Sequence, residues 1–116
     1  MTVEEFYKAI DESFEDMMSR FLSKDRIRKY ILMFLNDNTF EELTRTLNEK
    51  DYETAFRMVH TLKGVSSNLG FTKLFDSSVV LTEILRAKKY EMDLNTPYQL
   101  IKKEYEKIIE ALKQVE

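Results

Sequence analysis

Apolar residues recur along this chain at intervals of three and four almost throughout, and no run of four to eight residues alternates as a half-buried strand would. Thr2 followed by Glu5 is a capping-box pair, so the spacing predicts a short helix beginning at Val3. Phe14, Met17, Met18, Phe21 and Leu22 carry an apolar stripe on towards Ser23. The helical period then persists from Lys24 to Glu49, through Ile27, Tyr30, Ile31, Phe34 and Leu35, and again through Phe40, Leu43 and Leu47. Between the two halves lies the polar run Asn36-Asp37-Asn38-Thr39, and one continuous helix across it is the expectation.

Asp51 reads as the cap of a helix over about residues 52–69, closed by Gly70 at the position that favours left-handed backbone. The next helix is expected from Thr72 to Lys88, on Leu74, Phe75, Val79, Leu81, Ile84 and Leu85. A polar connection, residues 90–95, leads to Thr96-Pro97, read as a hydroxyl cap followed by proline in the first helical position. The last helix carries Ile101, Tyr105, Ile108, Ile109 and Leu112. Short links between amphipathic helices make neighbours antiparallel. The expected fold is therefore all-α: an antiparallel up-down four-helix bundle with a short N-terminal cap helix. One domain spans 1–116, with about 1–22 as the cap and 23–116 as the bundle.

Composition narrows the chemistry. With 116 residues there is chain enough for one core and not for two. The absence of cysteine removes disulfide frameworks, thiolate zinc sites and thiol nucleophiles together. The only histidine, His60, cannot belong to a site of two or more imidazoles. A net charge of −3 lacks the clustered cations of nucleic-acid binding. No stretch approaches the roughly 18 apolar residues of a membrane span, and the acidic amino terminus is unlike a signal peptide, so a cytoplasmic location is expected. Asp51, Glu53, Glu41 and Glu42 read as cap, dipole or solvated-face residues and form no metal-ligating pattern, and the chain has no Walker-type loop or kinase signature.

One position breaks the local rules. Gly64 falls well inside a predicted helix, where it costs on the order of 1 kcal/mol against alanine. On a wheel of about 100° per residue with His60 at zero, Ala55, Met58, Val59, Leu62, Val65, Ser66 and Leu69 occupy the far arc, roughly 140° to 260°. Glu53, Phe56, Arg57, Lys63, Gly64 and Ser67 lie within about 60° of His60. His60 thus points to solvent, with Lys63 and Gly64 one turn on. Ser66, on the core face, is expected to bond back to the carbonyl of Leu62.

Residues 60–70, HTLKGVSSNLG, closely resemble the signature of histidine-containing phosphotransfer (HPt) domains, through His60, Leu62, Lys63, Gly64, Ser66, Asn68, Leu69 and Gly70. Phe34 and Leu43 fall where such domains place core residues of the preceding helix, and Asp51 precedes the histidine helix at the usual distance. Val65 stands where a smaller residue is more usual, and Thr82 or Glu83 where many relatives carry a polar residue that orients the imidazole.

The resemblance implies a phosphorelay intermediate that takes a phosphoryl group onto His60 from a receiver-domain aspartate and passes it to another. Lys63 would neutralise the phosphate; Phe56, Arg57, Gly64, Ser67 and Asn68 would meet the receiver. No cofactor of its own is implied, magnesium being expected only on the partner receiver. The partners would be response-regulator receivers or a hybrid sensor kinase, and a monomer suffices. Such a module is a stoichiometric phosphocarrier and not an enzyme in the ordinary sense. Two other readings remain: the phosphoacceptor module of a chemotaxis-type histidine kinase, and a helical scaffold that no longer transfers phosphate. Retention of both His60 and Lys63 speaks against the scaffold, and an initiator methionine without an appended catalytic region favours the relay.

Overall fold

Helix starts along the chain follow the supply of side-chain oxygens for free backbone N–H groups. The structure, a computed structural model, describes all 116 residues as seven helices and their connections. Helix α1 (Val3–Ala9) has the full capping box, Thr2 accepting from the Glu5 backbone and Glu5 from that of Thr2. Ser13 caps α2 (Phe14–Phe21), Ser23 caps α3 (Lys24–Leu35), and Asp51 caps α5 (Tyr52–Asn68). Helix α6 (Thr72–Arg86) has no cap of its own; the Glu12 carboxylate reaches it from the α1–α2 turn, accepting from the Thr72 hydroxyl at 2.6 Å and the Lys73 N–H at 3.1 Å.

Three expectations are corrected. The N-terminal cap is two short helices and not one, because the chain turns after Ala9 and Ser13 caps α2 afresh. The stretch from Lys24 to Glu49 is not one helix: α3 ends at Leu35 and α4 (Thr39–Asn48) begins anew. The Asp37 carboxylate accepts from the Thr39 N–H at 2.7 Å, giving the backbone a local alternative to the helical ladder. Nor does Thr96 cap the last helix. Helix α7 spans Asn95–Leu112, and its free N–H groups at Asn95 and Thr96 both donate to Asp93. The Thr96 hydroxyl is itself a donor to that carboxylate, which leaves Pro97 two positions further in than expected.

The chain has no strand, so the all-helical class is observed. Helix α5 packs against α4 on one side and α6 on the other; α6 continues onto α7, and α3 and α1 both touch α7. One hydrophobic cluster draws on all seven helices. Phe6 and Tyr7 of α1 are fully buried in it, each contributing about 1.5–3 kcal/mol by leaving water. The Tyr7 hydroxyl donates to the Leu69 carbonyl at 2.7 Å, tying α1 to the end of α5. Buried hydroxyls on α5 and α6 return to their own helices: Ser66 to Leu62, Ser78 to Leu74, and Thr82 to Ser78, each at 2.7 Å. The Ser66 bond is the one its wheel position predicts.

Gly70 closes α5 in left-handed geometry, φ +74°. The Phe71 N–H donates to the Ser66 carbonyl and the Gly70 N–H to that of Ser67, a Schellman closure. A Cβ at residue 70 would stand 2.8 Å from the Met17 sulfur, so both dihedral and space select glycine.

Candidate functional site

The seventeen residues of α5 divide as the wheel divides them. Ala55, Val59, Leu62 and Ser66 are buried, Leu69 follows them into the core, and Met58 and Val65 are half-buried at the margins. On the opposite side His60, Arg57, Gly64, Ser67 and Asn68 are exposed, while Phe56 and Lys63 are half-buried where α5 meets α6. The burial of one stripe holds the helix in rotation, and that rotation aims the imidazole outward.

Around His60 the contacts are aromatic and cationic. The Phe56 ring, one turn back, lies 5.8 Å from the imidazole between centroids, with the planes tilted by 39°. The Arg86 guanidinium of α6 sits over that same Phe56 ring at 5.1 Å. The Lys63 ammonium rests over the ring of Phe75, also of α6, at 5.9 Å. Lys63 is in no ion pair. It is a half-buried residue whose charge has no carboxylate partner, one helical turn from the histidine.

Gly64 has open space where a side chain would project: a Cβ built there meets nothing within 4 Å. No neighbouring helix uses the gap, so close helix packing does not explain this glycine. What it leaves on the protein surface is bare backbone one turn beyond the imidazole.

The other expected site residues are placed less centrally. Arg57 is turned along its own helix, its guanidinium 3.6 Å from the Glu53 carboxylate and donating to the Thr54 hydroxyl at 3.1 Å. Ser67 and Asn68 lend their carbonyls to Arg20 of α2, at 2.7 and 3.3 Å. Asn68 also borders a groove of about 500 Å³ whose walls include Phe21, Tyr30, Met33 and Val65. Of the two residues considered for orienting the imidazole, Thr82 is buried with its hydroxyl spent on Ser78. Glu83 is exposed and pairs with Arg86, its carboxylate 3.4 Å from the guanidinium. The link from Glu83 to His60 therefore runs through Arg86 and Phe56.

Sequence reasoning gave Phe75 only a place in an apolar stripe and did not name Arg86 or Arg20 at all. The signal for the first two was available: they stand eleven residues apart on one helix, about three full turns, and so share a face. That this face meets the polar edge of α5 is a fact of packing. No three His, Asp or Glu side chains converge anywhere in the molecule into a metal-ligating group.

Comparison with known proteins returns one match. No curated protein and no solved structure is similar enough to count. The family model described as the Hpt domain matches residues 31–115, from within α3 almost to the end of the chain, and this span contains the whole of α5 and the whole arrangement around His60. With the histidine exposed, a free ammonium beside it and open backbone beyond, the chain belongs to the Hpt domain family, whose members are histidine phosphotransfer modules of phosphorelay signalling.

Proposed function

We propose that this protein is a phosphorelay intermediate that accepts a phosphoryl group on His60 from the aspartyl phosphate of one receiver domain and delivers it to the aspartate of another. The observation that carries the reading is the outer face of α5, where unpaired Lys63 and the uncovered backbone of Gly64 stand three and four residues, about one turn, beyond His60. An imidazole has a substantial neutral, nucleophilic fraction near neutral pH. Its Nε2 lone pair attacks phosphorus; the bond from phosphorus to the aspartate oxygen breaks, and its electrons leave with the carboxylate. The product is an N–P bond on His60. Transfer onward runs the same step towards a second carboxylate.

Little covalent chemistry remains for the protein, so positioning and charge carry the work. Lys63 swings from the Phe75 ring to the phosphoryl oxygens as a mobile ammonium. Gly64 leaves room for the receiver's phosphorylated loop to come into line, with Ser67, Asn68 and Arg57 on the surface it meets. Magnesium and the acceptor carboxylate belong to the receiver. In this reading the chain is a stoichiometric carrier, not a turnover enzyme, working as a monomer in the cytoplasm. Its scaffold is an up-down bundle, 23–116, in which α3 with α4, then α5, α6 and α7 form the four staves under a cap of about 1–22. No helix is long and apolar enough to cross a membrane.

The test is incubation with a receiver carrying radiolabelled phosphate. The wild-type chain should gain an acid-labile, alkali-stable label, and His60→Gln should gain none. Equal labelling of His60→Gln would place the chemistry elsewhere, and no labelling of the wild type by any phosphorylated receiver would favour a scaffold.

A further inference from the structure

An exposed imidazole on a helix has two free torsions, and in-line transfer uses only a fraction of their combinations. Something that narrows this choice would accelerate the step without touching the phosphoryl group. No hydroxyl or carboxylate does so here, because Thr82 is spent on its own helix and Glu83 on Arg86. The group that does contact the imidazole is a ring. Phe56 lies 5.8 Å from His60 at a 39° tilt, within the range of favourable aromatic pairs.

Phe56 is not itself loose. It is half-buried against the core cluster, and the Arg86 guanidinium covers it at 5.1 Å in cation–π geometry. Arg86 is held in turn by Glu83, one turn earlier on α6. Phe56 and Arg86 also line, with Tyr52 and Glu53, a cleft beside the beginning of α5. The contacts run in the order Glu83, Arg86, Phe56, His60, passing from α6 to α5 and ending on the reactive ring.

We propose that Phe56 is a positioning residue for phosphoryl transfer, its ring, clamped from α6 by Arg86, holding the His60 imidazole in the orientation that presents its nucleophilic nitrogen to the incoming phosphoryl group. This rests on the phosphotransfer reading above and assigns Phe56 a task different from contact with the receiver. A docking residue sets how tightly the receiver binds. A positioning residue sets how fast the bound pair reacts.

The experiment is single-turnover transfer from a phosphorylated receiver at increasing receiver concentration, alongside NMR of the His60 ring protons in the free chain. Phe56→Leu keeps apolar bulk against the core; it should lower the saturating rate about 3–10-fold with the half-saturating concentration unchanged. It should also remove the ring-current shift of the His60 protons, which Phe56→Tyr should restore together with the rate. Arg86→Gln should give a smaller loss of the same kind. A raised half-saturating concentration with an unchanged saturating rate would make Phe56 a docking contact and overturn the proposal. So would a His60 spectrum indifferent to Phe56→Leu, which can be read even if no receiver labels the wild type. Failure of wild-type labelling, by contrast, strikes at the phosphotransfer reading itself. Thermal unfolding of each variant separates these results from a damaged fold.

Discussion

Gly64 is the residue at which stability and function separate most cleanly. A helix interior prefers alanine to glycine by roughly 0.5–1 kcal/mol, and no neighbour stands where the added methyl would go. Gly64→Ala should therefore raise the urea midpoint by an amount equivalent to about 0.5–1 kcal/mol. Gly64→Gln should fold as well as the wild type yet slow transfer by on the order of tenfold to a hundredfold, because the longer side chain displaces the approaching receiver loop. Parallel urea titrations and transfer assays check both, and a destabilised Gly64→Ala would show that bare backbone serves the fold. Gly70, the other glycine, has a folding reason in both its φ and the nearby Met17 sulfur. Sequence alone offers a conformational reason for Gly70 and only the lack of one for Gly64, and that lack is what made Gly64 legible as functional.

At the scale of elements, the economy in glycine has a consequence at helix ends. Asp11, Lys50 and Lys88 each occupy the left-handed position after a helix, with φ of 56°, 59° and 56°. Each is closed by the same pair of backbone bonds that closes α5, as with Lys89 to Ile84 and Lys88 to Leu85 after α6. A residue with a Cβ is strained there by roughly 1–2 kcal/mol relative to glycine, less what glycine loses in chain entropy. Lys88 is exposed and in no ion pair, so Lys88→Gly should stabilise the protein by about 0.5–1 kcal/mol in urea denaturation. A lower midpoint would show that chain entropy outweighs the strain. These ends escape sequence reading because lysine carries no mark of left-handed geometry and aspartate only a weak one, whereas the glycine after α5 carries a strong one. The break between α3 and α4 escaped for a related reason. The apolar period continues across Asn36-Asp37-Asn38, and at the division the Thr39 backbone N–H donates to the Asp37 carboxylate and not to a helical carbonyl.

Across the whole molecule, stability should depend on pH at both extremes. Hydrogen bonds from Thr54 hold the Asp51 carboxyl below its ordinary value, and those from Thr96 and Asn95 do the same for Asp93. A group whose pKa is lower folded than unfolded adds stability above its unfolded value, about 3.9 for aspartate, and that share is lost as pH falls through the folded value. Burial chiefly, with the Glu41 and Asp37 charges, pushes the Tyr105 hydroxyl up to about 12. Its contribution is complete below the ordinary tyrosine value of about 10 and disappears as pH rises through about 12. Urea midpoints should hence fall as pH drops below about 4 and again as it rises above about 10, with Asp51→Asn removing part of the acid limb and Tyr105→Phe part of the alkaline one, to which Tyr7, its hydroxyl pushed up further by burial, also contributes. A limb whose amplitude is unchanged by its substitution would show that the substituted residue has no share in it. At this same scale the division between chain and fold is clear. The sequence by itself determined the all-helical class, the inward and outward faces of α5, the bond from Ser66 to Leu62 and the outward aim of His60, because a periodic apolar stripe must be buried whatever buries it. Only the tertiary structure decided that Phe75 and Arg86 stand beside that exposed face, since side chains from different helices meet through helix rotation and spacing, which no single helix encodes.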